Sequence, residues 1–472
     1  MTADQRTVDT DVVEEPAGRL GLGAMFATCG AVFMAGLDNL VVTIALPEIR
    51  HDLGIGIDDL TWTVNAYTLT YAVFMLGAAV LGDRLGRRRV FLFGLGLFVV
   101  GSVGCGVLGT SLLTMGAFRA VQGLGAAVLM PLSLTLALDH APASKRAVTV
   151  ALWSAMYGLS TAVGPFVGGA IVEFASWQWI FLVNLPIGVL IFIAARSRLE
   201  DVRPPPRSTR FDVRSLVLLS LGLFGLVLGV MRAGTVGWLE PSASPIAVAG
   251  IALLVAFVAR QRASADPLVP LDLFAARGFA LTSVTAFFVS AGMYGIIFLL
   301  VQYLQVVLGY EPLAAGVSTL PWTILPVVVA PFSVIASRRV GIRRLMVAGV
   351  SLMAAALAWY GFVLDPDVDY VMLLPGMILG GLGMGLFFAL VAAQALSFAP
   401  ERYSGLASGV NNSIRQIGIV SGIALTTTVF GALGGTATRD HFDVGITGAV
   451  VVAVVLLVLA VATAIRTPES PT

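Results

Sequence analysis

The chain has 472 residues, 58% of them hydrophobic and only 12% charged, with a mean hydropathy of +0.94; soluble domains carry roughly twice that share of charge, so the composition excludes one and describes an all-α polytopic membrane protein. The net charge of +1 hides a strong sorting of charges along the chain and points to no nucleic-acid partner. Cys29 and Cys105 stand inside apolar runs, and His51, His140 and His441 fall in separate predicted loops; neither a disulfide nor a metal constellation is visible.

Residues 1–18 are polar and acidic, with no apolar core behind a basic start, which predicts a cytoplasmic tail rather than a signal peptide. Apolar segments of about 20 residues then follow one another, each long enough to cross the hydrocarbon as a helix. They fall near 20–46, 58–81, 90–109, 112–138, 147–171, 177–197, 215–234, 244–261, 279–302, 313–336, 344–364, 370–396, 405–431 and 444–465, about fourteen helices. The expected organisation is a six-helix bundle over 19–198, a cytoplasmic linker over 199–214 with Pro204-Pro205-Pro206, and two inserted helices over 215–262. A proline-broken amphipathic segment over 263–278 is expected on the inner surface. A second six-helix bundle over 279–466 and a tail over 467–472 complete the chain.

Charge patterning tests this count. With the N-terminus inside, Arg84, Arg87, Arg88, Arg89, Lys145, Arg146, Arg196, Arg198, Arg338, Arg339, Arg343 and Arg344 all fall on the cytoplasmic side. Only Arg50, Arg232 and Arg439 fall on the other. The separation agrees with the positive-inside rule and predicts both termini in the cytoplasm. The octet Gly82-Asp83-Arg84-Leu85-Gly86-Arg87-Arg88-Arg89 is echoed by Ser337-Arg338-Arg339-Val340-Gly341-Ile342-Arg343-Arg344 at the same place in the second block, which suggests an internal repeat. In the first octet Asp83, Arg84, Gly86 and Arg87 suit a latch that pairs arginines with carboxylates and sets a carboxylate near a helix N-terminus; the bland alternative is a set of topology anchors.

Within the spans, Asp38 is the one acidic residue well inside, and an ionisable group there is costly enough to imply function. Arg119 is expected at a matching depth, about seven residues or roughly 10 Å from the outer end of its helix. The pair is either a proton-coupling site or a static fastener between helices. Arg415, near the middle of the thirteenth span, has no acidic partner in its own block; it either recruits carbonyls, water or an anionic group, or fastens helices with Asn411, Asn412 and Gln416. Gly158, Gly164, Pro165, Gly168 and Gly169 make the fifth span slim and kinkable. Asn65, Tyr67, Trp153, Gln302, Tyr303, Trp322 and Gln394, with Asn411 and Arg415, sketch a cavity for bulky amphipathic compounds, with some aromatics serving as interface-belt residues instead. Gly380-Gly381-Leu382-Gly383-Met384-Gly385 has no preceding strand, so it reads as packing rather than as a nucleotide loop.

Two six-helix halves with such octets resemble the major facilitator superfamily over nearly the whole chain. Gly82 to Arg89 matches the family's loop signature, with Ala79 where its first glycine usually stands. Arg119 to Ala127 resembles the fourth-helix motif, whose arginine is associated with proton coupling. Gly158 to Gly169 is similar to the fifth-helix motif typical of antiporters. Leu37-Asp38 with Ala45-Leu46-Pro47, Trp177 to Gly188, and Asn411 to Gln416 look like the fourteen-helix drug:proton antiporter branch, with Leu40 and Thr43 departing from its pattern. The resemblance implies a monomer in the bacterial inner membrane that exports hydrophobic or amphipathic compounds against protons by alternating access, with no cofactor. An importer or a lipid-handling transporter on the same fold are the alternatives. An enzyme or an ATP-driven pump lacks support, since Lys145, the only lysine, follows Ala143-Ser144 rather than a glycine-rich turn.

Overall fold

Hydrocarbon offers no water to backbone N–H and C=O groups, so long apolar runs close their hydrogen bonds internally as helices. The computed structural model describes residues 21–142, 145–200, 212–236, 244–264, 267, 269, 271–400, 404–435 and 439–469. Its first elements are α1 (Leu22–Leu53), α2 (Ile57–Leu85), α3 (Arg87–Leu108), α4 (Leu112–Asp139), α5 (Arg146–Phe174), α6 (Trp179–Leu182) and α7 (Asn184–Arg198). Next come α8 (Val213–Val236), α9 (Ser244–Ala263) and the single turn α10 (Asp272–Ala275). The last are α11 (Arg277–Gln302), which runs into a π turn at Tyr303–Val307, α12 (Pro312–Ser318), α13 (Leu320–Val340), α14 (Ile342–Val363), α15 (Tyr370–Ser397), α16 (Ser404–Ala432) and α17 (Arg439–Arg466). Among the described residues twelve stretches are long and apolar enough to cross a membrane. With α2, of 29 residues, and α8, of 24, the long helices number fourteen.

Three expected spans differ in detail, each at a proline. The sixth, expected unbroken, divides at Val183 because Pro186 has no N–H for the carbonyl of Leu182. The tenth divides at Thr319, two residues before Pro321, with the Thr319 hydroxyl donating to the Gly316 carbonyl at 2.8 Å. The first runs through Pro47 and stops only at Gly54, whose φ of 61° closes the helix.

In the first block α4 packs on α2 and α3, and α1 on α5 and α7; in the second, α11 packs on α16 and α17, and α15 on α13 and α14. One apolar core runs across the junction, joining Leu37, Val41 and Ile49 of α1 with Val289 and Met293 of α11 and Trp322 of α13. The α8–α9 pair lies along the groove between α2 and α16, where Leu223 meets Leu69, Val73, Val420 and Ala424. Outside the spans, Asp212 accepts Arg260 Nε at 3.0 Å and Nη2 at 2.9 Å. Those hydrogen bonds, with help from Ser215, hold the Asp212 carboxyl down at about 2. Gln261 donates to Ser215 Oγ at 2.6 Å and accepts Val269 N–H at 3.0 Å, tying the segment before α10 to the hairpin.

The two octets fold alike. Gly86 (φ 102°, ψ 120°) joins α2 to α3, and Gly341 (φ 92°, ψ 143°) joins α13 to α14. Both angles lie where glycine is favoured. Arg87 Nη1 bridges both Asp139 oxygens at 2.7 Å, so the arginine of the first octet clamps the end of α4. Arg88 donates to the carbonyl of Arg196. Arg84 is exposed, and the side chain of Asp83 lies outside the described residues.

Candidate functional site

The deepest polar site forms where five elements of the first block meet. Asp38 on α1 and Arg119 on α4 are 2% and 0% exposed, and Arg119 Nη1 donates to Asp38 Oδ2 at 2.7 Å. Gln122 follows Arg119 by three residues, which puts both on one helix face. Its Oε1 accepts from Arg119 Nη1 at 2.6 Å while its Nε2 donates to Asp38 Oδ1 at 2.7 Å. Asn184 Nδ2 of α7 also donates to Asp38 Oδ1, at 3.0 Å, and Ser102 Oγ of α3 accepts from both amides. Arg119 Nε is taken by the carbonyl of Thr63 on α2 at 2.8 Å. The guanidinium lies 4.3 Å from the Tyr67 ring centroid and 5.7 Å from that of Phe181. Every polar atom of the carboxylate is thus met by a donor in a dry environment, the condition under which a buried pair holds together.

The structure brings the matched-depth pair together and adds partners that the sequence reading did not single out: Gln122, Asn184, Ser102 and Thr63. Two signals for them existed, the three-residue spacing of Arg119 and Gln122 and the amide Asn184 beside Pro186 in an apolar span.

A second polar site lies toward the second block. Tyr67 donates to the Ala35 carbonyl at 3.3 Å, and its ring centroid stands 6.1 Å from that of Tyr71. A small cavity, about the size that holds one water, is lined there by Ala35, Gly36, Tyr67, Tyr71, Met130 and Tyr157. Arg415 of α16 sits beyond it, facing Tyr71, Tyr157 and Tyr294.

The other expected lining residues divide. Asn65 is buried on α2. Trp153 Nε1 donates to Ser133 Oγ at 2.9 Å, joining α5 to α4. Asn411 Nδ2 donates to Ser283 Oγ at 3.2 Å inside the second block. Trp322, Tyr303, Gln302 and Gln394 are packed within that block, away from the small cavity. Trp322 stacks on Tyr360 with centroids 5.8 Å apart. Tyr303 lies 6.2 Å from Phe442 and donates to the Asp365 carbonyl at 2.5 Å, so it is a core residue and not an interface-belt one. Gln302 is 5% exposed, and Gln394 Nε2 donates to the Pro468 carbonyl at 3.3 Å. Polarity near a helix end does not tell a core hydrogen bond from a cavity wall.

The glycine face of α5 meets both blocks. Gly164 and Gly168 lie against α1, next to Leu40 and Val41. A Cβ on Gly169 would fall 2.7 Å from Leu313 Cα, and one on Gly316 would fall 2.3 Å from the Pro165 carbonyl oxygen. Gly158, near the other end, has only Val327 at an ordinary contact distance. Around the Phe174 end of the junction Gln305 Nε2 donates to the Ile44 carbonyl at 3.1 Å, and Leu313 N–H to Glu173 Oε2 at 3.2 Å. The blocks are therefore closed together at the Phe174 end of α5. Among the described residues no three His, Cys, Asp or Glu side chains are placed to hold a metal.

A family model described as Major Facilitator Superfamily matches residues 28–423. This chain belongs to the major facilitator superfamily. As a facilitator it is a multi-pass membrane protein of a transporter family. It is 33% identical to the multidrug resistance protein Stp of Mycobacterium tuberculosis over 429 residues, covering 90% of this chain and 79% of that protein. It is 36% identical to the cephamycin export protein CmcT of Amycolatopsis lactamdurans over 457 residues, covering 93% and 91%. The fold of this facilitator is also that of an auto-inhibited POT family peptide transporter, with a TM-score of 0.67 at 16% identity, covering 95% of each chain.

Proposed function

We infer that this facilitator exports hydrophobic or amphipathic compounds across the bacterial plasma membrane in exchange for protons, by alternating access between its two six-helix blocks, with no cofactor. The observation that carries the reading is the Asp38–Arg119 pair, a carboxylate sealed among donors from α4 and α7. A carboxylate whose donors come from separate helices loses and regains them as those helices move, which is the exchange that proton coupling needs. Relatives named for multidrug resistance and for cephamycin export support the direction of transport. The small-residue contacts of Gly169 and Gly316 support α5 as a surface on which the blocks part and rejoin.

With both termini in the cytoplasm, as the arginine distribution favours, the closed Phe174 end faces outward. Arg87 and Asp139 then belong to a cytoplasmic latch between α3 and α4. The two blocks act as the moving units, and the α8–α9 pair bridges them along α2 and α16.

The test is compound-dependent proton release from everted vesicles held at a pH gradient. Lipophilic compounds are expected to collapse the gradient with the native chain and not with Asp38→Asn. Compound transport that persists without proton flux in the native chain would overturn the coupling.

A further inference from the structure

Two arginines lie well inside the spans, and they differ in one respect. Arg119 has Asp38, whereas Arg415 has no carboxylate partner among the described residues. Arg415 Nε and Nη2 both donate to Asn412 Oδ1, at 3.0 and 2.6 Å, and the guanidinium lies 5.8 Å from the Phe388 ring centroid. A neutral amide, a ring face and the Tyr157 hydroxyl occupy part of the donor fork and leave the charge without a counter-charge. Three phenols from three helices face it: Tyr71 of α2, Tyr157 of α5 and Tyr294 of α11.

Two of its neighbours are also incomplete. Tyr71 Oη and both amide atoms of Gln416 are buried without a hydrogen-bond partner, on residues 2% and 1% exposed. Tyr71 stands beside Asn412 and Gln416, and the small cavity opens between Tyr71 and Tyr157. Native structures satisfy nearly all such groups, so a cluster of orphans next to an uncompensated cation implies a partner from outside the chain. The groups present select its charge. Guanidinium, phenol and carboxamide can all donate, and Asp38, the acid buried in the first block, is already met by three donors. An anion meets the guanidinium, the Tyr71 hydroxyl and the Gln416 amide N–H; a cation would find no free acceptor charge.

We propose that this cluster is an anion subsite, which seats the carboxylate or phenolate of an aromatic compound on Arg415, with Tyr71 and Gln416 donating to it and the rings of Tyr157 and Phe388 beside the compound's apolar body. The assignment rests on the efflux reading above and narrows its substrate class to amphipathic acids. The site discriminates by leaving Arg415 unpaired when a neutral analogue binds, the kind of rejection that buried polar groups impose most strongly.

The full-length protein in phosphatidylcholine nanodiscs, without a gradient, is titrated with 2-naphthoate, its methyl ester and 2-naphthylmethylamine, following intrinsic tryptophan fluorescence. The acid is expected to bind about tenfold or more tighter than the ester, as a charge-assisted contact provides. Arg415→Gln should bring the acid down to the ester's affinity, and Tyr71→Phe, which keeps the charge and the ring, should weaken the acid several-fold. Equal or weaker binding of the acid by the native protein overturns the proposal, as does an acid preference that survives Arg415→Gln. If Arg415→Gln does not fold, an unchanged acid affinity in Tyr71→Phe overturns the seat. Added phosphatidylglycerol that displaces 2-naphthoate would assign the subsite to a lipid headgroup and overturn the compound. Proton flux is read separately: its absence beside a retained acid preference fails the efflux reading and leaves the subsite standing.

Discussion

Asp38 Oδ2 stands 2.7 Å from Arg119 Nη1, and Gln122 closes the triangle by accepting from one and donating to the other. Removing one member of such a pair strands a charge in a dry place, whereas neutralising both does not. Arg119→Leu is therefore expected to cost about 3–5 kcal/mol, read as a large drop in thermal stability in detergent. Asp38→Asn combined with Arg119→Gln should recover a good part of that loss while still lacking compound-dependent proton flux. Equal destabilisation by the single and double changes would mean that the pair is not energetically coupled.

The close approach of α5 to α12 gives a second prediction. A side chain at Gly316 meets the Pro165 backbone oxygen, which cannot rotate aside as a flexible side chain can. Gly316→Val should wedge the junction open at the Phe174 end. Spin labels at Glu173 and Leu313, whose residues touch in the closed form, should report a longer, broader distance distribution in the variant. An unchanged distribution would mean that the contact is not what keeps this end shut.

Much of this architecture was readable from hydropathy alone, because a chain in hydrocarbon has few alternatives to helices of spanning length. The helix interruptions were harder to read, since Pro186 and Pro321 break their spans while Pro47 does not, and only the surrounding packing decides between a kink and a break. In the site, Asp38 and Arg119 were visible because each is an ionisable residue in an apolar run at a matching depth. Asn184 and Ser102 carried weaker signals, as an amide or hydroxyl in a span also serves ordinary packing. Trp322 and Tyr303 sit in the apolar core rather than on a cavity wall, because amphipathic side chains near helix ends suit a core, a cavity or a bilayer interface equally well.

The repeated octets allow a test of conformation separate from packing. Gly341 has open space where a Cβ would sit, so the only obstacle to Gly341→Ala is its φ of 92°. That backbone region, φ 92° with ψ 143°, costs an L-residue about 1–3 kcal/mol. Gly96 also has open space but lies within α3, so Gly96→Ala should be neutral or slightly stabilising. Thermal unfolding of the two variants side by side measures the difference; equal melting temperatures would argue against a conformational role for Gly341.

The Asp212–Arg260 contact predicts a pH dependence. The Asp212 carboxyl is lowered from its ordinary 3.8 to about 2, chiefly by the Arg260 hydrogen bonds. A lowered acid stabilises the folded chain above the unfolded value and loses that contribution as pH falls through the folded one. The stability difference between the native chain and Asp212→Asn should thus be constant from pH 8 to about 4 and shrink between about 4 and 2. Its size is small, since the Arg260 side chain is 39% exposed and solvent-screened pairs contribute about 0.2–1 kcal/mol. The pair joins the start of α8 to the end of α9, so the loss should loosen this hairpin before the blocks unfold, which hydrogen exchange along α8 would register. A difference already shrinking at pH 6 would mean that another group, not Asp212, governs the hairpin.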